Sequence, residues 1–187
     1  MSDYLRNPLE FLLTVIFQLF ILAVLLRFLL QWVRADFYNP LSQALVKLTN
    51  PLLRPLRRLI PGWGGIDLAA LVLAFVLQLL LATLLIALRG GPFHPLTLLL
   101  WSLSELVALT FNIFIFSLII QAILSWITPG QYNPASALLY RLNEPLLRPA
   151  RRLIPPFSGL DLSPLVVILL LQVAKMLIMP LFGMLLR

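Results

Sequence analysis

The chain contains 187 residues, of which 61% are hydrophobic and only 11% are charged. A soluble domain is about half apolar and about a quarter charged, so this composition excludes a soluble enzyme, a disordered tail and a secreted disulfide scaffold. The chain has no cysteine, which excludes disulfide bonds, thiol catalysis and cysteine-ligated zinc. Fourteen Lys and Arg against seven Asp and Glu give a net charge of +7, which on a membrane chain is first an orientation signal.

Four apolar segments are long enough to cross a membrane. They cover about residues 9–32, 68–88, 96–127 and 162–186, and each reaches the roughly 20 residues that a helix needs to cross about 30 Å of hydrocarbon. The third is too long for one upright span, so we expect it to tilt or to begin in the outer interface. The first is too long for the apolar part of a signal peptide, and we expect it to be retained.

Basic residues are concentrated in two of the three connections between these spans. Nine of the fourteen lie in the loops 33–66 and 128–160, whereas the 89–95 loop contains one. The positive-inside rule therefore predicts that both long loops are cytoplasmic, and that the 89–95 loop and both termini lie outside.

A shift of 94 residues aligns the two halves of the chain without a gap. Between residues 27 and 78, 25 of 52 positions are identical to their counterparts, and only one of eleven differs between 51–61 and 145–155. The spans have diverged further than the loop, which indicates that the loop performs the shared work. We divide the chain into a first repeat, 1–93, and a second repeat, 94–187, each with the order helix, loop, helix.

The loop contains helix-start signals in both repeats. Asn is a favoured N-cap and Pro suits the first helical position, so Asn39-Pro40 and Asn133-Pro134 predict helix starts. Apolar residues then recur at helical spacing, which predicts a short amphipathic helix. Proline disfavours a helix through it and at the preceding residue, so we expect a break and a second start at Pro51 or Pro55.

The repeated motif has further fixed positions. Pro61 should stop the second short helix, and Asp67 and Asp161 stand where N-caps of the following spans belong. The motif positions are Trp32, Asn39, Pro40, Pro51, Pro55, Pro61 and Asp67 in the first repeat, and Trp126, Asn133, Pro134, Pro145, Pro149, Pro155 and Asp161 in the second.

Two copies of this unit, each between two apolar helices, resemble the YGGT family of integral membrane proteins in its two-copy, four-span form. The resemblance covers nearly the whole chain. It implies an all-α membrane protein of the bacterial inner membrane, with four transmembrane helices from two tandem parallel repeats, each with a cytoplasmic amphipathic helical loop. It also implies links to osmotic-stress tolerance, potassium uptake and cell-envelope or division processes, and no known catalytic activity or cofactor.

Six loop arginines form two basic patches: Arg54, Arg57 and Arg58, and Arg148, Arg151 and Arg152. We expect them to meet the phosphates of anionic lipids while neighbouring apolar residues enter the headgroup boundary, with about 1 kcal/mol of attraction for each charge. Arg27, near the end of the first span, should reach the same phosphates. A topology signal alone, or a docking site for a membrane protein or a second copy of this chain, would also account for the patches. Nucleic acid is not favoured, because each patch is small and close to lipid.

Among the polar residues of the apolar spans, we single out six as candidates: Gln18, Gln78, Glu105, Asn112, Gln172 and Lys175. Amides at that depth need partners, so we expect contacts between helices, and Glu105 and Lys175 are at depths that would allow an ion pair. The chain contains no catalytic triad, metal cluster or phosphate-binding loop, which favours a non-enzymatic scaffold or assembly factor. The alternative is an oligomeric channel or transporter with these polar residues on its path.

Overall fold

The computed structural model describes residues 3–127, 133–153 and 161–185. Within these ranges the chain forms helices without named strands: α1 (Asp3–Trp32), α2 (Pro40–Leu59), α3 (Leu68–Arg89), α4 (Pro95–Ile127), α5 (Pro134–Leu153) and α6 (Ser163–Leu185). Four of them, α1, α3, α4 and α6, are long and apolar enough to cross a membrane. The prediction of an all-helical, four-span architecture is confirmed.

The two repeats have the same order and pack side by side. In the first repeat α1 lies along α3, in the second α4 lies along α6, and contacts between α3 and α4 join the repeats. Small side chains on α3, among them Ala70 and Ala74, are fully buried against Ile21 and Val24 of α1. Small residues allow such close approach between helices in a bilayer.

The shorter helices α2 and α5, which we call the loop helices, lie against the spans of their own repeats. Helix α2 contacts α1 and α3, and α5 contacts α4 and α6. Leu53 of α2 and the equivalent Leu147 of α5 are completely buried. The loop helices are therefore fixed parts of the bundle.

The expected break at the loop prolines is wrong. Helix α2 runs without interruption through Pro51 and Pro55, and α5 runs through Pro145 and Pro149. All four prolines are exposed and the two in each helix are four residues apart, so the lost backbone hydrogen bonds fall on the outer face. Burial on the opposite face, at positions such as Leu53, compensates for those bonds.

The predicted start of α2 is confirmed, and its end agrees with the stop expected at Pro61. Asn39 caps the helix by accepting a hydrogen bond from the Leu41 amide at 3.0 Å, with Pro40 in the first turn. The helix ends at Leu59, just before Pro61. Asp67 then caps α3 by accepting from the Ala70 amide at 3.3 Å. Pro155 lies outside the described residues, as does the side chain of Trp126.

Candidate functional site: the loop helices and the ends of the spans

Two of the six loop arginines, one in each repeat, form an ion pair with an aspartate at the start of the next span. Arg57 forms an ion pair with Asp67, and its equivalent Arg151 forms one with Asp161, with 2.9 Å between Nε and Oδ2. Each pair connects the last turn of a loop helix to the residues that begin the next span. Arg57 and Arg151 thus have a structural partner that the prediction of lipid contacts did not include.

The two ion pairs differ in burial. The Asp67 side chain is only 4% exposed, whereas that of Asp161 is 41% exposed. Asp161 also accepts a hydrogen bond from the Ser163 backbone at 2.9 Å. Burial raises the pKa of Asp161, but hydrogen bonds from Ser163 and Arg151 outweigh it and hold that pKa below its usual range.

The other four loop arginines face outward. Arg54, Arg58, Arg148 and Arg152 are all exposed. Only Arg148 has an acidic partner, Glu144 at 3.9 Å, among the residues that the structure describes. On α2 these arginines share the outer surface with exposed leucines, including Leu48, Leu52 and Leu59. The outer surface of α2 therefore combines cationic and apolar groups.

A buried arginine connects α1 to α2. Arg27 is only 8% exposed, and its Nη1 donates hydrogen bonds to Thr49 Oγ1 at 2.6 Å and Asn50 Oδ1 at 2.9 Å. The Thr49 hydroxyl in turn donates to the Leu45 carbonyl. Helix α2 covers most of the Arg27 side chain and supplies acceptors for it, and the expected contact of Arg27 with lipid phosphates stays a prediction.

The second repeat makes the same connection with neutral groups. Asn143 of α5, which is fully buried, donates from Nδ2 to Gln121 Oε1 at 2.8 Å and accepts from the Ser117 hydroxyl at 2.7 Å. Gln121 and Asn143 are equivalent by the 94-residue shift to Arg27 and Thr49. Reasoning from identical residues missed this site, since neither position is identical between the repeats.

The starts of the two loop helices meet at the boundary between the repeats. The buried Asn39 side chain donates from Nδ2 to the Pro134 carbonyl at 2.8 Å, while its Oδ1 caps its own helix. Asn133 caps α5 through the Ala135 amide at 2.9 Å. The contact places both loop helices at one end of the bundle, with their N-termini adjacent.

Two of the six candidate polar residues of the spans form a hydrogen bond with each other. Lys175 Nζ donates to Asn112 Oδ1 at 2.7 Å, which connects α4 to α6. The expected pairing of Lys175 with Glu105 is therefore not formed, since Asn112, two helical turns further along α4, supplies the acceptor. Gln78 is 2% exposed, Gln172 is exposed and Gln18 is half-buried, and these three form no side-chain hydrogen bond within the described ranges.

Cavities on the described surface include the three that follow. One of about 310 Å³ is between the end of α1 and α2, one of about 630 Å³ is between the repeats, and an apolar one of about 440 Å³ is beside Leu48 and Leu52. None of these three is lined by the polar residues of the spans. No cluster of acidic or histidine side chains suited to a metal ion occurs in the described part of the chain.

Four apolar helices in two tandem repeats, each with a loop helix between its spans, define a multi-pass all-α membrane protein. The CCB3/YggT family matches this sequence over residues 7–88 and 100–182, one match to each repeat. The chain belongs to the CCB3/YggT family.

Similar proteins occur in several bacteria. The chain is 52% identical to the uncharacterized protein PA0392 of Pseudomonas aeruginosa over 171 residues, which cover 90% of this chain and 86% of that protein. It is 42% identical to the uncharacterized protein YggT of Escherichia coli K12 over 171 residues, 91% and 88% of the two chains. A protein encoded in the proC 3′ region of Vibrio alginolyticus is 42% identical over 95% of this chain and 96% of its own length. No solved structure shows a significant match.

Proposed function

We propose that this protein is a non-enzymatic scaffold or assembly factor that acts through the outer surfaces of its two loop helices. The observation that carries the proposal is that the six loop arginines fall into two groups. At equivalent positions of α2 and α5, Arg57 and Arg151 form ion pairs with Asp67 and Asp161, while the other four form no ion pair with another helix in the described part of the chain.

Within the described ranges, the outward arginines form no ion pair that joins one helix to another, since Glu144, the partner of Arg148, lies on the same helix. Folding is served by the buried connections at Arg27 and Asn143 and by the two ion pairs. Orientation needs positive charge but no particular spacing. Duplicate cationic surfaces beside exposed leucines are suited to an anionic lipid surface and to an acidic segment of a membrane protein held against it.

The proposed setting is the bacterial inner membrane, with the loop helices on the cytoplasmic face and the 89–95 loop in the periplasm. The charge distribution supports this orientation, because nine of fourteen basic residues lie in the two long loops. A role in osmotic-stress tolerance, potassium uptake or envelope and division processes, as the family resemblance implies, would follow from assembly of other membrane proteins at this surface.

The test is affinity capture from native membranes after cross-linking. The variant replaces Arg54, Arg58, Arg148 and Arg152 with glutamine. The matched control replaces Lys47 and Arg141, which are also exposed and occupy equivalent positions on α2 and α5. We expect both variants to insert at parental levels and only the first to lose its co-purifying membrane proteins. Equal recovery from parent and first variant would refute the scaffold proposal.

The channel alternative requires the polar groups of the spans to converge on a path. Gln78 is buried, Gln172 is exposed, and Lys175 is bonded to Asn112. Because these positions differ in burial and line none of the three cavities, we do not adopt the channel as the function.

A further inference from the structure

The cavity of about 310 Å³ between α1 and α2 is lined by three arginines. Arg27 comes from the last turns of α1, Arg34 follows that helix, and Arg57 comes from the last turn of α2. Gln31 and Ser42 add polar groups, and the remaining walls are apolar and include Phe37. The cavity thus combines cationic, hydrogen-bonding and apolar surfaces at the end of a membrane-spanning helix.

The positive charge around this cavity exceeds the negative charge. Asp67 forms an ion pair with Arg57. In the part of the chain that the structure describes, no carboxylate pairs with Arg27 or Arg34. Arg27 is only 8% exposed, and a cation removed from water is costly unless an anion compensates for it. An anionic ligand in the cavity would compensate for this charge.

An unsatisfied hydroxyl provides independent support for a ligand. Ser42 is 8% exposed and lines the cavity, yet its Oγ has no hydrogen-bond partner. Buried polar groups in proteins are nearly always satisfied, so an orphaned hydroxyl beside a cavity indicates a missing acceptor or donor. An oxyanion in the cavity would accept this hydrogen bond.

The backbone at Arg34 is held in an unfavourable conformation. Helix α1 ends with bonds from the Arg34 amide to the Gln31 carbonyl and from the Ala35 amide to the Leu30 carbonyl, the pattern of a Schellman motif. Arg34 occupies the left-handed position of that motif, with φ of 52°, where glycine is the usual residue. Glycine would make the turn more easily, so the turn itself does not require arginine here.

The second repeat lacks this combination. By the 94-residue shift, Gln121 replaces Arg27 and Thr128 replaces Arg34, while Arg151 and Ser136 remain. Two of the three cations are thus specific to the first repeat, although the fold of the loop helix is shared. The packing that both repeats have in common therefore does not explain why Arg27 and Arg34 are positively charged residues.

We infer that this cavity binds the phosphate group of an anionic phospholipid. Guanidinium groups match phosphate oxygens with paired, charge-assisted hydrogen bonds, which favours phosphate over a halide or a single carboxylate. The apolar walls and the position beside the end of α1 favour a phosphate attached to a lipid over a free ion. The inference does not depend on the outward arginines of the proposed scaffold surface.

Binding is tested by titrating the purified full chain in detergent with short-chain phosphatidylglycerol and counting adducts by native mass spectrometry. The variant R34G removes one cation and retains the turn, and K47Q is the control, since Lys47 is an exposed cation of α2 that does not line the cavity. We expect R34G to weaken the tightest adduct about tenfold or more and K47Q to leave it unchanged. The variant S42A should weaken the tightest adduct less than R34G does. If R34G folds poorly, S42A still tests whether the cavity binds the lipid.

Three results would overturn the inference. Equal lipid binding by the parent, R34G and S42A would show that the cavity is not the lipid-binding site. An equal loss in K47Q would assign the binding to the general positive charge of α2 and not to the cavity. Inorganic phosphate that displaces the lipid at the same concentration as the lipid itself binds would show a site for the free ion.

Discussion

The ion pairs of the two repeats allow the same interaction to be measured at two degrees of burial in one molecule. In the first repeat we consider Asp67→Asn. Asparagine is as good an N-cap as aspartate, so the cap on α3 is retained while the negative charge opposite Arg57 is removed. The substitution therefore isolates the ion pair from the cap.

The expected magnitude follows from burial. Removing one partner of a fully buried ion pair costs about 3–5 kcal/mol. The Asp67 side chain is 4% exposed but that of Arg57 is 36% exposed, so water partly stabilises the unpaired guanidinium. We expect Asp67→Asn to lower the free energy of unfolding by about 1–3 kcal/mol. In the second repeat both side chains are more than a third exposed, and Asp161→Asn should cost about 0–1 kcal/mol.

The assay is reversible unfolding in mixed micelles, followed by far-ultraviolet circular dichroism as the denaturing detergent is increased. A double-mutant cycle with Arg57→Gln isolates the coupling between the two side chains from the bond that Arg57 also makes to Gln31. Equal losses for Asp67→Asn and Asp161→Asn would refute the argument from burial. No loss for Asp67→Asn would refute the stabilising role of the pair.

Three further predictions concern the second repeat and the orientation of the chain. Asn143→Ala removes both hydrogen bonds of a fully buried amide and should lower the free energy of unfolding by about 1–3 kcal/mol in the same assay, and an unchanged midpoint would contradict the connection to α4. Since the pKa of Asp161 is lower in the folded state, its stabilising contribution is present above its unfolded pKa and is lost as the pH falls through the folded pKa. The stability difference between the parent and Asp161→Asn should therefore disappear in acid, and a difference that persists at the lowest pH would exclude this titration as its source. The chain has no cysteine, so His94→Cys and Trp63→Cys each introduce one label site. A membrane-impermeant maleimide should label intact cells only at position 94, and labelling only at position 63 would reverse the proposed orientation.

The architecture could be predicted from the sequence because the signals that specify it are local. A run of about 20 apolar residues has few alternatives to a transmembrane helix. The pair Asn39-Pro40 combines a side-chain acceptor with a fixed backbone angle, and both act on the adjacent turn. Such features need no knowledge of what packs against them.

The prediction of a helix break at the loop prolines was wrong because it used only local preferences, whereas tertiary packing decides whether the helix continues. Pro55 does remove a hydrogen bond from α2, as its chemistry requires. The helix continues because Leu53 is completely buried on the opposite face and Arg57 is held by Asp67. Tertiary contacts of that kind outweigh the local preference, and sequence spacing does not reveal them.

Local sequence was also insufficient to predict which of the loop arginines form ion pairs. From sequence, Arg57 and Arg58 are adjacent cations of one amphipathic segment. Which of the two forms an ion pair depends on the position of Asp67, ten residues later at the start of another helix. The equal spacing of Arg151 and Asp161 in the second half was available as a signal, because a cation and an anion ten residues apart in both repeats are compatible with an ion pair.

The differences between the repeats are as informative as their identities. Both repeats connect the first span to the loop helix at the same two positions, yet one uses Arg27 and Thr49 and the other uses Gln121 and Asn143. A neutral pair is sufficient for the connection, as the second repeat demonstrates. The charge in the first repeat therefore adds something that packing does not require, and it lies beside a cavity with an unsatisfied hydroxyl. The two repeats share one fold. The positions at which they differ are therefore the places to look for a binding role that belongs to the first repeat alone.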